Sequence, residues 1–157
     1  MSKAFTSEET ADEQPIVAPR APLPDGVPNY VSARGLALLR DELAALRAQN
    51  GEPSVIAQRR AELEERIATA VVVSAPAEPS DVVHFGACVS VLGENGARRY
   101  RIVGVDEADP AHGRIAFVSP LARALLGRSV GDMVGLRAPR GDESLEITAV
   151  DYDADPD

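Results

Sequence analysis

Four leucines, Leu36, Leu39, Leu43 and Leu46, recur at spacings of three, four and three. That spacing is the seam of an amphipathic helix facing a second helix. Ser32 stands just ahead of the seam and is a good N-cap. The pattern breaks at Asn50-Gly51-Glu52-Pro53, where Gly51 suits a left-handed C-cap and Pro53 the first turn of a new helix. From Ser54 a second helix is predicted, with Ile56, Leu63 and Ile67 on one stripe. Arg59, Arg60, Glu62, Glu64, Glu65 and Arg66 are expected mostly to face water. The two segments are of nearly equal length, about seventeen residues each, so an antiparallel hairpin follows. The pattern leaves open whether the hairpin projects or lies packed on the rest of the chain.

Past Val71-Val72-Val73, Pro76 and Pro79 mark a boundary, and the apolar period then changes from helical to two. Strands are predicted near 82–92, 98–106, 113–118, 131–138 and 144–151. Glu94-Asn95-Gly96 is a hairpin signal between the first two. Pro139 precedes Arg140-Gly141-Asp142, a turn into the last strand. Leu121 to Leu126 reads as a short helix between strands. The fold class is therefore α+β: an N-terminal helical hairpin, then a small antiparallel sheet carrying one short helix. Upstream, the stretch from Ser7 to Gln14 holds four carboxylates and that from Pro15 to Pro28 five prolines. Such a segment buries too little apolar surface to offset its ordering entropy. The predicted divisions are a disordered tail over 1–28, a hairpin over 29–73, a sheet domain over 80–152 and an acidic tail over 153–157.

A net charge of −9 argues against direct nucleic-acid binding, which calls for a basic footprint, and favours a basic protein surface as partner. Aromatics make up 4 % and Trp is absent, so the core must be aliphatic. Cys88, the single cysteine, sits in an alternating apolar run and reads as a small core residue. His84 and His112 are far apart and lack ligand-like companions, so no metal or cofactor is expected. No apolar run approaches a membrane span, and the N-terminus lacks an apolar signal core. A cytoplasmic monomer is expected.

Several separated motifs carry a resemblance. Asn29-Tyr30-Val31-Ser32 with Gly35, and Leu39-Arg40-Asp41-Glu42-Leu43, form one group. Glu62-Leu63-Glu64-Glu65-Arg66-Ile67 with Val71-Val72, then Val83 to Val91 with Phe85-Gly86-Ala87, form others. Ile102-Val103-Gly104 and Ser119-Pro120 complete the set. Over about residues 29 to 152 the chain resembles the bacterial transcript-cleavage factors of the GreA/GreB family, and its opening Met1-Ser2-Lys3-Ala4-Phe5-Thr6 resembles GreB proteins. The resemblance implies an FKBP-like C-terminal domain that docks on RNA polymerase, on a coiled coil of the largest subunit at the rim of the secondary channel. Carried over by residue, the docking surface comprises Asp106, Glu107, Asp109, Ser119, Pro120, Ala122 and Arg123. A carboxylate cluster on a turn would pair with basic side chains and steer association. The competing readings are a solvated loop for the acidic turn, a helix cap for Ser119, and core positions for Leu121, Leu125 and Leu126.

The family's chemistry rests on two acidic residues at the hairpin tip, in the pattern Asp-x-x-Glu-Asn, which hold a magnesium ion in the polymerase active centre. Here the tip is Asn50, Gly51, Glu52 and Pro53, and Glu52 alone is a poor magnesium site. Relative to the family roughly 25 to 30 residues are missing, which shortens a two-helix hairpin by roughly 20 Å. The expectation is a non-enzymatic, non-cleaving homologue that binds polymerase and modulates elongation or competes with active factors. Short-hairpin regulators of nucleoside diphosphate kinase have a similar architecture and offer a close variant. A prolyl isomerase of FKBP type is a further reading, which fold alone does not carry. A general interaction module, pairing through the hairpin seam, is the last.

Overall fold

The computed structural model describes residues 20–50 and 53–153. Two short strands, β1 (Asn29–Val31) and β2 (Ala70–Val72), pair in parallel and enclose the hairpin between them. The hairpin itself is α1 (Ala33–Arg47) and α2 (Pro53–Thr69). Ser32 caps α1 as predicted, its Oγ accepting from the Gly35 N–H at 2.9 Å. Leu39, Leu43 and Leu46 bury against Leu63, with Ile56 and Ile67 alongside, while Leu36 is half-buried. Helix α1 closes on Ala48 as its C-cap, and Gly51 and Glu52 of the expected tip lie outside the described residues. Arg66 does not face water as the sequence pattern suggests; its guanidinium turns inward to Asp106.

The sheet domain is built from β3 (Cys88–Gly93), β4 (Gly96–Val103), β5 (Arg114–Ala116), α3 (Pro120–Leu125), β6 (Met133–Ala138) and β7 (Gly141–Asp151). Five strands lie in the order β5-β4-β3-β7-β6. All neighbours are antiparallel except β4 and β5, which run parallel. The crossover between those two is compressed into two 3-10 turns, Val105–Glu107 and Pro110–His112. The strand expected over 98–106 therefore ends at Val103, and the acidic residues after it form a turn. The strand expected from 82 begins only at Cys88, because Gly86 takes φ 85°, outside the strand region. Ahead of it Val82 bridges singly to Ser129. The first hairpin turns through Glu94-Asn95, where Gly93 pairs Gly96; Gly96, just past the turn, supplies the positive φ of 101°. A bulge puts Thr148 out of register between β3 and β7, and its Oγ1 donates to Ser90 O at 3.1 Å.

The core lies between one sheet face and α3. Val89, Val91, Ile102, Ile115, Val134, Leu145 and Ile147 pack there with Ala122 and Leu125. Residues 20–28, read from sequence as part of a disordered tail, instead form an ordered strap, with Leu23 and Val27 packing against this core. The strap turns at Asp25-Gly26, where Gly26 takes φ 75° and the Val27 N–H donates to the Pro24 carbonyl at 3.2 Å.

Candidate partner-binding site

The acidic turn after β4 was the strongest site expected from sequence, and its carboxylates divide sharply. Glu107 is buried, its side chain 3 % exposed. One oxygen accepts from Ser32 Oγ at 2.5 Å and the other from Arg34 Nη1 at 2.9 Å. Ser32 thus uses its hydroxyl twice, accepting from α1 and donating to Glu107. Asp106, with a side chain 4 % exposed, bridges Arg20 at 3.0 Å and Arg66 at 3.5 Å. Arg20 also reaches Glu42 at 2.6 Å, and Arg66 donates to the Ala21 carbonyl. Burial alone would lower the Arg20 guanidinium, but its hydrogen bonds and charge pairing with Glu42 and Asp106 raise it above its ordinary value. These groups form a clasp that joins strap, hairpin and sheet domain.

Close backbone approach makes the clasp possible. A Cβ on Gly35 would stand 2.8 Å from Glu107 Oε2, and one on Gly104 would stand 2.5 Å from the Tyr30 carbonyl oxygen. Both glycines let the hairpin base sit directly on the turn. Tyr30 then reaches the domain's aromatics, with ring centroids 5.4 Å from Phe117 and 6.2 Å from Phe85. Phe85 and Phe117 are 5.7 Å apart, so the three rings pack on one another.

Of the seven expected docking residues, Asp106 and Glu107 therefore have partners within the chain, and Ala122 is fully buried on the inner face of α3. The physical reason is the 3-10 turn, which points its first two carboxylates at the hairpin base. Ser119 caps α3, accepting from the Ala122 N–H at 3.3 Å. Pro120 and Arg123 lie exposed on the same short helix. Asp109 pairs with the solvent-facing His112, Oδ2 to Nδ1 at 2.6 Å. The accessible remainder of the expected surface is Asp109, Pro120 and Arg123, with Ser119 half-buried beside them. Sequence reading missed Arg20 and Arg66 as clasp residues. The available signal was Arg20 itself, which stands with Lys3 as the only cations of the first 28 residues. Among the described residues no three His, Cys, Asp or Glu side chains gather as metal ligands, and no helix is long and apolar enough to cross a membrane.

The arrangement of hairpin, clasp and curled sheet defines a class of protein, and comparison with known proteins gives it a family. The family model described as "Transcription elongation factor, GreA/GreB, C-term" matches residues 78–152. Transcription elongation factor GreB of Neisseria meningitidis serogroup B is 34 % identical over 153 residues, covering 79 % of this chain and 94 % of that protein. Transcription elongation factor GreA of Acidiphilium cryptum is 46 % identical over 101 residues; that match spans 63 % of this chain and 64 % of the relative, just under two thirds of its length. Among solved structures, the GreA/GreB factor of Nitrosomonas europaea is 27 % identical, covering 78 % of this chain and 98 % of that one at a TM-score of 0.44. The chain belongs to the GreA/GreB family of transcription elongation factors.

Proposed function

We propose that this protein is a Gre factor without cleavage activity: it docks on RNA polymerase at the rim of the secondary channel through the sheet domain and modulates elongation there. The observation that carries this reading is the size of the hairpin. With 15 and 17 residues, α1 and α2 extend only about 22 and 26 Å. The five residues between them in sequence, 48–52, contain one carboxylate, Glu52. Aligned over 153 positions with the Neisseria GreB, the chain contributes 79 % of its 157 residues, about 124, so about 29 positions of that relative have no counterpart. A single carboxylate at the end of a shortened arm is poorly suited to hold a catalytic magnesium ion, which takes several oxygen ligands in near-ideal octahedral geometry.

Docking would use the accessible part of the acidic turn and α3, Asp109, Pro120 and Arg123, with the net charge of −9 speeding approach to a basic surface. The protein has no reaction of its own in this reading; it acts by occupying a site. The test measures binding to purified bacterial RNA polymerase together with transcript cleavage in a backtracked complex. Saturable binding without cleavage, and displacement of an active Gre factor, are the expected results. Stimulated cleavage, or no binding at all, would overturn the proposal.

A further inference from the structure

Strap, hairpin and acidic turn meet at one guanidinium. Arg20 Nη1 donates to Asp106 Oδ1 at 3.0 Å, and Arg20 Nη2 to Glu42 Oε1 at 2.6 Å. The second oxygen of Asp106, Oδ2, faces Arg66 at 3.5 Å. The strap thus holds one oxygen of Asp106 and α2 the other. The contacts of Arg20 are those that a basic side chain of another protein would make with the same two carboxylates. Beside Arg20 a cleft of about 270 Å³ is lined by Glu42, Arg59, Glu62 and Leu63. The Glu42 side chain is 49 % exposed, so solvent already reaches this end of the bridge.

What holds the strap down is slight. Pro22, Pro24 and Pro28 have no N–H to give. Among the described residues no main-chain hydrogen bond joins 20–27 to another element; the bond from Val27 to Pro24 lies inside the strap. Leu23 and Val27 are half-buried, and the rest of 21–28 is exposed. The attachments are these two side chains, the Arg20 bridges and the Arg66 bond to the Ala21 carbonyl. A segment with so few buried contacts opens at far lower cost than the domain unfolds. Lifting it leaves no bare charge, since Arg20 returns to water and Arg66 stays on Asp106 Oδ2. The pair with Glu42, half-exposed, is of the kind worth least. Pairing of β1 with β2 begins only at Asn29, so the hairpin base keeps its own hold.

We propose that the strap is a removable cover over the acidic turn, with Arg20 holding from within the chain the place of a partner's cation. Closed, it occupies Asp106 Oδ1 and Glu42; lifted, it yields both to a Lys or Arg of the polymerase. The cover presupposes the docking proposed above and regulates it, because apparent affinity scales with the fraction of molecules whose strap is lifted. The test uses the full-length protein. Methyl resonances of Leu23 and Val27 report the strap, and binding to purified bacterial RNA polymerase reports the site. Arg20→Ala should move both methyl signals toward solvent-exposed positions while those of Leu39, Leu63 and Val89 stay. It should also tighten polymerase binding about threefold or more. Arg20→Lys keeps a cation for both carboxylates and should remain near the wild type. Arg40→Ala removes the same charge from an exposed position on α1 and should leave binding unchanged. Adding Asp106→Asn to Arg20→Ala should abolish the gain. Unmoved methyl signals would overturn the proposal, as would a lifted strap with unchanged or weaker binding, which makes the strap a brace for the hairpin. An equal gain in Arg40→Ala, or one that survives Asp106→Asn, would assign the effect to net charge and overturn it too. If the wild type and every variant fail to bind polymerase, the docking reading falls and the cover with it. Binding by the wild type without the gain overturns the cover alone.

Discussion

Glu107 and Asp106 are adjacent carboxylates on one turn, and each is committed to a different part of the hairpin base. Glu107 satisfies Ser32 and Arg34, and Asp106 satisfies Arg20 and Arg66. Because Glu107 is the more deeply enclosed by local groups, its removal should destabilise folding. Glu107→Ala leaves Ser32 without its acceptor and removes the Arg34 bridge, at a cost of about 2–3 kcal/mol, read by urea denaturation. Glu107→Gln keeps one acceptor oxygen and should lose less. Tyr152 holds the other end of the domain in a comparable way: its hydroxyl donates to the Val82 carbonyl at 2.5 Å and accepts from the His84 N–H at 2.9 Å. Burial raises the Tyr152 phenol above its ordinary value, more than the His84 contact lowers it. A raised phenol favours the protonated folded state, so its contribution is complete below about pH 10 and declines as pH rises through the folded value. Tyr152→Phe should cost about 1 kcal/mol at neutral pH and should flatten the loss of stability above about pH 10. Denaturation midpoints of the two proteins across that range check the sign.

Among the elements, the helices were the most legible in sequence and the base that holds them the least. The leucine spacing and the Ser32 cap gave α1 its place, and the boundary at Asn50-Gly51-Glu52-Pro53 separated it from α2. Strands β1 and β2 were not legible, because three residues each are too few to show a period, and their pairing joins positions 41 residues apart. Pairing of β4 with β5 was hidden for a related reason: ten residues of turn ordinarily announce a hairpin, whereas two 3-10 turns here fold them into a parallel crossover. The acidic turn was seen as a cluster, but sequence alone could not say which carboxylates face inward; that depends on a turn geometry set by contact with a distant segment. Gly104 is the residue through which this contact passes. Gly104→Ala would push a methyl group against the Tyr30 carbonyl, and backbone must move to admit it. A loss of about 1–3 kcal/mol is expected, with amide exchange accelerated first in β1 and β2 and only later in β3 and β7.

At the scale of the whole molecule, the clasp is expected to decide how the hairpin is aimed. Hairpin and sheet domain have separate cores, one of leucines along the helix seam and one between sheet and α3. What joins them is the β1–β2 base, the Tyr30 contact and the Asp106 and Glu107 bridges. Asp106 is the junction of three parts, since Arg20 brings in the strap and Arg66 the second helix. Asp106→Asn keeps the size of the side chain and removes its charge, so both guanidiniums lose their common partner. The sheet domain should melt nearly as before, while the distance between spin labels at Gln49 and Ser144, both exposed, should broaden. Asp109→Ala serves as the contrast: among the described residues its carboxylate pairs with His112, an exposed pair worth little to stability, and the label distance should stay narrow. The two variants separate two ways in which an acidic turn can affect polymerase binding. If Asp109→Ala weakens binding with geometry intact, the turn acts by contact. If only Asp106→Asn weakens it, the turn acts by holding the hairpin at the angle that docking requires. A narrow label distance in Asp106→Asn would show that the base and the aromatic contact suffice, and that the buried charges do not set the aim of the hairpin.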